Sequence, residues 1–180
     1  HGSTGFASGL WWVKDIANTN NHQLFDSVRG QDAAGDWQVL QSNTTAISGD
    51  YVVPAGNSVG WCWQAGGAIE TNTSGNIASQ VLANNDAGFS IVTYTGNGTA
   101  STVGHGLTKA PEYLIVKAAD RTENWQVWCT GLAADFSANL NTNGEAEDFN
   151  CWNDLTPTNS VINLGVANGS NSSGNVYTAY

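Results

Sequence analysis

Short apolar or alternating runs recur along the whole chain and are separated by clusters of Gly, Asn, Asp and Ser. Runs of this length and spacing predict β-strands joined by turns, as in an antiparallel sandwich or barrel. Residues 76–85 come closest to a helical period, but this stretch is short and is also consistent with an extended connector. The predicted strands are residues 10–14, 23–28, 37–41, 59–64, 89–95, 113–117, 125–130, 161–164 and 176–180.

The run GFSIVTYTGNG shows the alternation on which this interpretation depends. In a strand, the side chain of Ile91 points to one face and those of Val92 and Tyr94 point to the other. The dipeptide Asn97-Gly98 favours the positive φ angles that a tight turn needs, so we predict a hairpin with its return strand at 100–103. The patterns together predict an all-β chain folded as an antiparallel, jelly-roll-like β-sandwich.

The beginning of the chain resembles a later segment at an offset of about 103 residues. Residues 9–28 align with residues 112–131, and GNSVGWCW at 56–63 aligns with SGNVYTAY at 173–180. We therefore predict that the fold is built from two divergent copies of one strand-rich repeat. The matched positions include Val13-Lys14 with Val116-Lys117, Gln23 with Gln126, Phe25 with Trp128, Leu40 with Leu140, and His1-Gly2 with His105-Gly106.

This repeat divides the chain into three parts. Residues 1–66 are predicted to form the first copy, which lacks the opening strands of the second. Residues 67–87 are small and polar at both ends, which is typical of a connector. Residues 88–180 form the second copy, with a loop insertion around 145–165. Either the two copies supply strands to one shared sandwich, or the missing strands come from another chain.

The chain of 180 residues is strongly acidic, with a formal net charge of -10 at pH 7. It lacks the clustered Lys and Arg that bind phosphates, so no nucleic-acid partner is expected. No apolar run is long enough to span a membrane, so no membrane insertion is expected. Cys62, Cys129 and Cys151 are odd in number and lack CxxC spacing, which suggests neither a disulfide framework nor a zinc site. We expect them to be reduced and packed.

Few residues offer catalytic chemistry. Glu145 and Glu147 have the alternating spacing of the two carboxylates of a retaining glycosidase, but they lie in a Gly- and Asn-rich segment typical of a solvated loop. No catalytic residue is therefore assigned. The loop from Asn141 to Glu145 weakly resembles a calcium-binding loop, although the EF-hand pattern is absent. No other metal or cofactor is predicted, and His105, between two glycines, is expected to have a structural role in a turn.

Eight tryptophans stand out, because indole rings stack on sugars and bury large areas at interfaces. Most of them are expected to pack in the core. Adjacent Trp11 and Trp12 cannot share one face of a strand, so one is expected in the core and the other against a second layer or a partner.

The insertion in the second copy holds the tryptophan that is expected to be the most exposed. Trp152 lies there among Asn150, Asn153 and Asp154. An aromatic ring with amide and carboxylate neighbours is suited to contact a ligand or a partner. We therefore predict a binding site at these four residues.

The segment GFSIVTYTGNGTASTVGHGLTKAPEYLIVKAADRTENWQVWCTGL, followed by VYTAY, resembles a module of structural proteins from tailed bacteriophages, especially marine ones. The resemblance covers nearly the whole chain and is strongest at 88–132. In that family the module often stands next to lectin-like sandwich domains and is described as a domain of unknown function. The resemblance implies that the chain is a virion component, and it brings no catalytic residues with it.

These observations leave three hypotheses. The first is a non-enzymatic structural protein of the tail fibre, the tail or the capsid surface. It would assemble in the host cytoplasm as an oligomer, with other copies of itself and other virion proteins as partners. The second is a carbohydrate-binding module that recognises host surface glycans through Trp152 and the neighbouring loops. The third is a glycan-cleaving enzyme in which Glu145 or Glu147 is catalytic.

Overall fold

The computed structural model describes residues 8–47, 49–50 and 56–180, and nearly all of its regular structure is β-strand. Each of the nine predicted runs contains a strand. Among the described residues, no helix is long and apolar enough to cross a membrane. The predicted equivalence of His1-Gly2 with His105-Gly106 falls outside these ranges. The elements are β1 (Gly9–Asp15), β2 (Gln23–Asp26), β3 (Gln38–Val39), β4 (Gly49–Asp50), β5 (Ser58–Gln64), β6 (Glu70–Asn72), β7 (Ser79–Asn84), β8 (Phe89–Thr95), β9 (Ser101–Gly104), β10 (Tyr113–Ala118), β11 (Gln126–Cys129), β12 (Phe136–Asn139), β13 (Glu147–Asp148), β14 (Val161–Leu164), α1 (Asn168–Asn171) and β15 (Val176–Ala179).

These strands pair in an antiparallel manner throughout. An eight-stranded sheet has the order β13-β12-β11-β10-β15-β8-β7-β6, and a three-stranded sheet has the order β2-β1-β5. β9 pairs with β14, and β3 pairs with β4. Leu40, which follows β3, also forms a bridge to Leu24 of β2.

The eight-stranded sheet has a hydrophobic core on each face. Ile91 of β8 belongs to a cluster with Leu10 and Leu24 of the three-stranded sheet. Val92 belongs to the other cluster, which includes Ile162 of β14. Since neighbouring residues of a strand point to opposite faces, the three-stranded sheet and the β9–β14 pair cover opposite faces of the large sheet. The all-β sandwich is confirmed, and it has three layers.

The hairpin predicted at Asn97-Gly98 is wrong. β9 lies close to the predicted return strand, but it pairs with β14 and not with β8. β8 already has β15 along one edge and β7 along the other, so no edge remains for β9. Gly98 alone of the two turn residues has a positive φ, and the Asn97 side chain accepts hydrogen bonds from the N–H and the hydroxyl of Thr99. This loop carries the chain from the middle layer to the β9–β14 layer.

The connector predicted at 67–87 is wrong as a linker, because it contains β6 and β7. β7 pairs with β8 along its whole length. Its Val81 and Leu82 enter the cores on opposite faces of the large sheet. The small polar residues that suggested a linker are the flanks of these strands. The division of the chain into two copies stays a prediction.

Two groups of strands share one pairing scheme. In the first group β1 lies between β2 and β5, and in the second group β10 lies between β11 and β15. Val13 pairs with Gln23, and Val116 pairs with Gln126, which are the positions that match in the sequence. This agreement supports the hypothesis of a repeat.

Candidate functional site

The structure corrects the expectation that Trp152 is the most exposed aromatic residue. Its side chain is 2% exposed and lies in the core on the β9–β14 side of the large sheet, together with Cys151 and Leu164. The predicted insertion belongs to the third layer, because β14 lies within it and pairs with β9. The ring of Trp152 is therefore not available to stack on a ligand.

The polar neighbours of Trp152 have a conformational reason for being there. Asn150, Asn153 and Asp154 have φ angles of 51°, 53° and 55°. Most side chains avoid this left-handed region, but Asn and Asp tolerate it. The Asn150 carbonyl also accepts a hydrogen bond of 3.3 Å from the Ala167 N–H, which ties the loop to its surroundings. All three side chains are exposed, and their binding role stays a prediction.

The predicted carboxylate and calcium sites gain no support. Glu145 and Glu147 are exposed, and Glu147 lies on the edge strand β13. Within the described ranges, no group of three His, Cys, Asp or Glu side chains is placed to hold a metal ion. The Asn141 side chain accepts a hydrogen bond from the Trp125 N–H and donates one to Asn124, at 2.9 Å each. Calcium binding and glycan cleavage stay predictions.

An aromatic cluster lies on the three-stranded sheet, on the face opposite to Leu10 and Leu24. Trp11 stacks on Phe25, with ring centroids 5.6 Å apart and an interplanar angle of 10°. Trp37 is tilted against both rings, with centroids 6.0 Å and 5.4 Å away. These three residues, the outer aromatic cluster, are half-buried and belong to neither core cluster of the described residues.

A second aromatic group surrounds Trp12, which packs against the core. The Trp12 Nε1–H donates to His22 Nδ1 at 2.8 Å, and the centroids of Trp61 and Trp63 lie 6.3 Å and 6.4 Å from that of Trp12. Trp61 and Trp63 are 46% and 39% exposed, since β5 is at the edge of its sheet. The side chains of Trp11 and Trp12 thus lie on opposite faces of β1, which confirms the prediction that they do not share one face. The expectation that most tryptophans pack in the core is wrong. Three of the eight are buried, three are half-buried and two are exposed: in that order, Trp125, Trp128 and Trp152; Trp11, Trp12 and Trp37; Trp61 and Trp63.

A cavity of about 590 Å³ lies between the three-stranded sheet and the large sheet. Trp12 and Trp63 line one side of it, and Ile115 lines the other. Lys109 and Glu112 are the charged side chains among its described lining residues, and His105 is the histidine among them. This lining suits an apolar group, and it provides no pair of carboxylates for hydrolysis.

His105 also borders this cavity, and its contacts are structural. The ring Nδ1 accepts a hydrogen bond of 3.1 Å from the Leu107 N–H, so Nε2–H donates to the Thr158 carbonyl, also at 3.1 Å. Burial lowers the pKa of His105, which keeps the ring neutral near pH 7. Both ring nitrogens are used within the fold.

A buried ion pair joins the three-stranded sheet to the large sheet. Arg29 Nε lies 2.6 Å from Asp26 Oδ2. The Tyr180 hydroxyl, next to β15, donates to Asp26 Oδ2 at 2.7 Å and accepts from Arg29 Nη2 at 3.1 Å. Arg29 also donates to the carbonyls of Gln38 and Leu24. Such pairing compensates for the removal of both charges from water. Burial also raises the pKa of Tyr180.

The three cysteines form no disulfide. Cys151 is buried, and burial raises its pKa to about 12. Cys62 is exposed, so the expectation that all three are packed is wrong for this residue. Cys62 lies opposite Trp11 in the pairing of β5 with β1.

The model of a protein family described as a domain of unknown function, DUF7483, matches residues 40–180. The chain belongs to this family. The matched region includes the large sheet and the β9–β14 layer, while β1 and β2 precede it. No curated protein and no solved structure matches the chain.

Proposed function

We propose that this chain is a non-enzymatic structural component of a bacteriophage virion, located in a tail fibre, in another part of the tail or on the capsid surface. The resemblance of residues 88–132 to phage structural modules supports the assignment. The observation that carries it is the aromatic surface of the three-stranded sheet, where Trp61 and Trp63 are exposed next to half-buried rings. Exposed clusters of large aromatic side chains are typical of surfaces that contact other proteins.

Particles of a phage that encodes this chain provide the test. We expect an antibody against the chain to label the capsid, the tail or the fibres in electron micrographs. We also expect gradient-purified particles to contain the chain at a constant ratio to the major capsid protein. A chain that accumulates in infected cells but is absent from washed particles would contradict the proposal.

Carbohydrate binding is the second candidate function, and the outer aromatic cluster favours it. Sugar rings stack on indole faces, and Trp37 adds a half-buried indole ring to the exposed turn beside this cluster. The neighbouring turn contains Asp32 and Asp36, both exposed, whose carboxylates are able to accept hydrogen bonds from sugar hydroxyls. The proposed glycan site is this cluster and not Trp152, because the latter ring is buried.

A glycan array probed with the intact chain tests this second function. We expect Trp37→Ala to weaken binding to a positive glycan by about tenfold or more, since it removes one stacking face. Trp61→Ala is the matched control, because its ring lies outside the outer aromatic cluster, and it should bind as the unmodified chain does. No bound glycan, or unchanged binding by Trp37→Ala, would count against the function.

A further inference from the structure

Each strand group uses a lysine to hold the turn after its first strand. Lys14 Nζ donates to the carbonyls of the next residue and of Asn18, at 2.5 Å and 3.2 Å. Lys117 Nζ donates to the carbonyls of the next residue and of Arg121, at 2.6 Å and 3.3 Å. The two lysines, which also match in the sequence, therefore make the same local contacts.

The turn after β3 has the same hydrogen bonding as the turn after β12. Thr44 N–H donates to the Gln41 carbonyl at 3.2 Å, and Thr142 N–H donates to the Asn139 carbonyl at 3.4 Å. In both turns the threonine hydroxyl then accepts the N–H of the residue two positions later, at 3.2 Å and 3.4 Å. The turn at 139–143 is thus a structural counterpart of the turn at 41–45. This register places Leu40 over Ala138, so the sequence match of Leu40 with Leu140 is wrong by two residues.

An asparagine in each turn reaches back to the residue before the second strand of its group. Asn43 Oδ1 accepts from the His22 N–H at 3.1 Å, and Asn141 Oδ1 accepts from the Trp125 N–H at 2.9 Å. The Nδ2 group of each also donates to the asparagine directly before that residue, which is Asn21 at 2.8 Å in the first group and Asn124 at 2.9 Å in the second. His22 and Trp125 therefore occupy corresponding positions.

The turn at 41–45 binds the second strand group through backbone carbonyls. Trp125 Nε1–H donates to the carbonyls of Gln41 and Thr44, at 3.0 Å and 3.2 Å. Lys117 Nζ has Thr45 as a third carbonyl partner, at 3.4 Å. Both Trp125 and Lys117 are fully buried. This contact shows that a turn of this type fits a neighbouring strand group.

Among the residues that the structure describes, no second turn places its carbonyls at the corresponding place on the first strand group. His22 Nδ1 accepts the Trp12 indole N–H, so the neutral ring keeps its Nε2–H as a donor. Within the described part of the chain, Lys14 Nζ has two carbonyl partners and not three. Trp61 beside them is 46% exposed. Lys14, His22 and Trp61 form the His22 surface.

We propose that the turn at 139–143 of one copy binds the His22 surface of a second copy. Thr142 and Asn143 in this turn are exposed, and no described hydrogen bond joins the turn to the His22 surface of its own chain. The carbonyls of the turn then accept from His22 and Lys14, as those at 41–45 accept from the second group. The contact joins two different surfaces, so it is heterologous and allows rings or filaments. It rests on contacts within the chain and does not depend on the phage assignment.

Analytical ultracentrifugation of the full chain, from about 1 µM to about 1 mM, tests this interface. We expect the unmodified chain to associate. Trp61→Ser removes the exposed ring, and Asn143→Lys brings a second positive charge towards Lys14. We expect each variant to raise the dissociation constant by about tenfold or more. Trp11→Ala, on the opposite face of the same sheet, is the control and should associate normally.

Mixing the two variants gives the sharpest result. Each keeps one intact half of the contact, so an equimolar mixture of Trp61→Ser and Asn143→Lys should form a dimer and no larger species. Circular dichroism melting curves check that both variants are folded, and His22→Ser is the second surface variant if Trp61→Ser melts early. The proposal is overturned if the unmodified chain is monomeric throughout, if both folded surface variants associate normally, or if the mixture forms no dimer.

Discussion

The first strand group, β1, β2 and β5, and the second, β10, β11 and β15, have the same pairing scheme in very different surroundings. β15 has β8 as a second neighbour, whereas β5 has β1 alone among the described strands. Lys117 is fully buried, and its counterpart Lys14 is half-buried. Neighbouring strands therefore decide which of the two strand groups becomes core and which stays at the surface.

Trp61 and Tyr180 show the same contrast at one position of the strand pairing. The pairing corrects the sequence alignment of residues 56–63 with 173–180 by two residues, since that alignment placed Trp63 over Tyr180. Trp61 pairs with Trp12, and Tyr180 exchanges both backbone hydrogen bonds with Ile115, the counterpart of Trp12. The Tyr180 hydroxyl is bonded to Asp26 of the first group, while the Trp61 ring is 46% exposed. Asp26 of the first group thus bonds to this position of the second group, whereas no described hydrogen bond reaches the Trp61 ring.

The largest difference is expected at Trp125 and His22. Trp125→Ala removes a fully buried ring and its two carbonyl contacts, and it should lower the free energy of unfolding by about 3–5 kcal/mol. His22→Ala removes a half-buried ring with one indole hydrogen bond, and about 1 kcal/mol is expected. Urea unfolding curves measure both values. Equal losses of unfolding free energy would show that neighbouring residues cover Trp125 and His22 to the same extent.

A smaller difference is expected at Tyr180 and Trp61. Tyr180→Phe removes the hydroxyl that donates to the buried Asp26 carboxylate, which should cost about 2 kcal/mol of unfolding free energy. Trp61→Phe changes an exposed ring, so about 0.5 kcal/mol or less is expected. Thermal unfolding of the two variants under identical conditions makes the comparison. A loss of stability in Trp61→Phe as large as that in Tyr180→Phe would refute the expected difference.

The pH dependence of stability should change when Lys117 is replaced and should stay the same when Lys14 is replaced. Burial lowers the pKa of Lys117 from 10.5 to about 8, so the folded chain loses this proton before the unfolded chain does. Stability should therefore rise with pH above about 8, by about 1–2 kcal/mol up to about pH 9.5. Lys117→Met should remove this rise, whereas Lys14→Met should keep it. Urea unfolding at several pH values provides the measurement, and a rise that persists in Lys117→Met would exclude Lys117 as its source.

The smallest effect concerns the turn after β1. Asp15 Oδ2 accepts from the Asn18 and Asn20 side chains, whereas the matching residue of the second group is Ala118. Mainly the hydrogen bond from Asn18 lowers the pKa of Asp15 from 3.8. This stabilisation is complete above pH 3.8 and is lost as the pH falls through the lower folded value. Asp15→Ala should melt slightly earlier at pH 6, and the difference should shrink in acid. A constant difference would contradict this explanation.

The strands were predictable because they depend on local alternation. In β8, Ile91 and Val92 face different cores, as their positions in the sequence indicate. The partner of each strand depends on distant segments, so the neighbour of β9 was predicted wrongly. The turn chemistry at Asn97-Gly98 was recognised, but β8 has no free edge because β7 and β15 occupy both.

The candidate site was less predictable than the fold. Adjacent Trp11 and Trp12 indicated two faces, but the ring of Trp37 joins the outer aromatic cluster from a separate segment of the chain. Trp152 was wrongly predicted to be exposed because its polar neighbours are typical of a surface loop. Asn150 and Asp154 instead meet a need for left-handed backbone, which depends on how the loop enters the third layer.

The contact of Tyr180 with Asp26 has a consequence for the order of folding. These residues are 154 positions apart, so closing this contact carries the entropy cost of a very long loop. The antiparallel pairs of β1 with β2 and of β10 with β11 close much shorter loops and are expected to form first. During synthesis, the local ion pair of Asp26 with Arg29 therefore gains its Tyr180 partner only after β15 has been made, and this contact should be among the last to form.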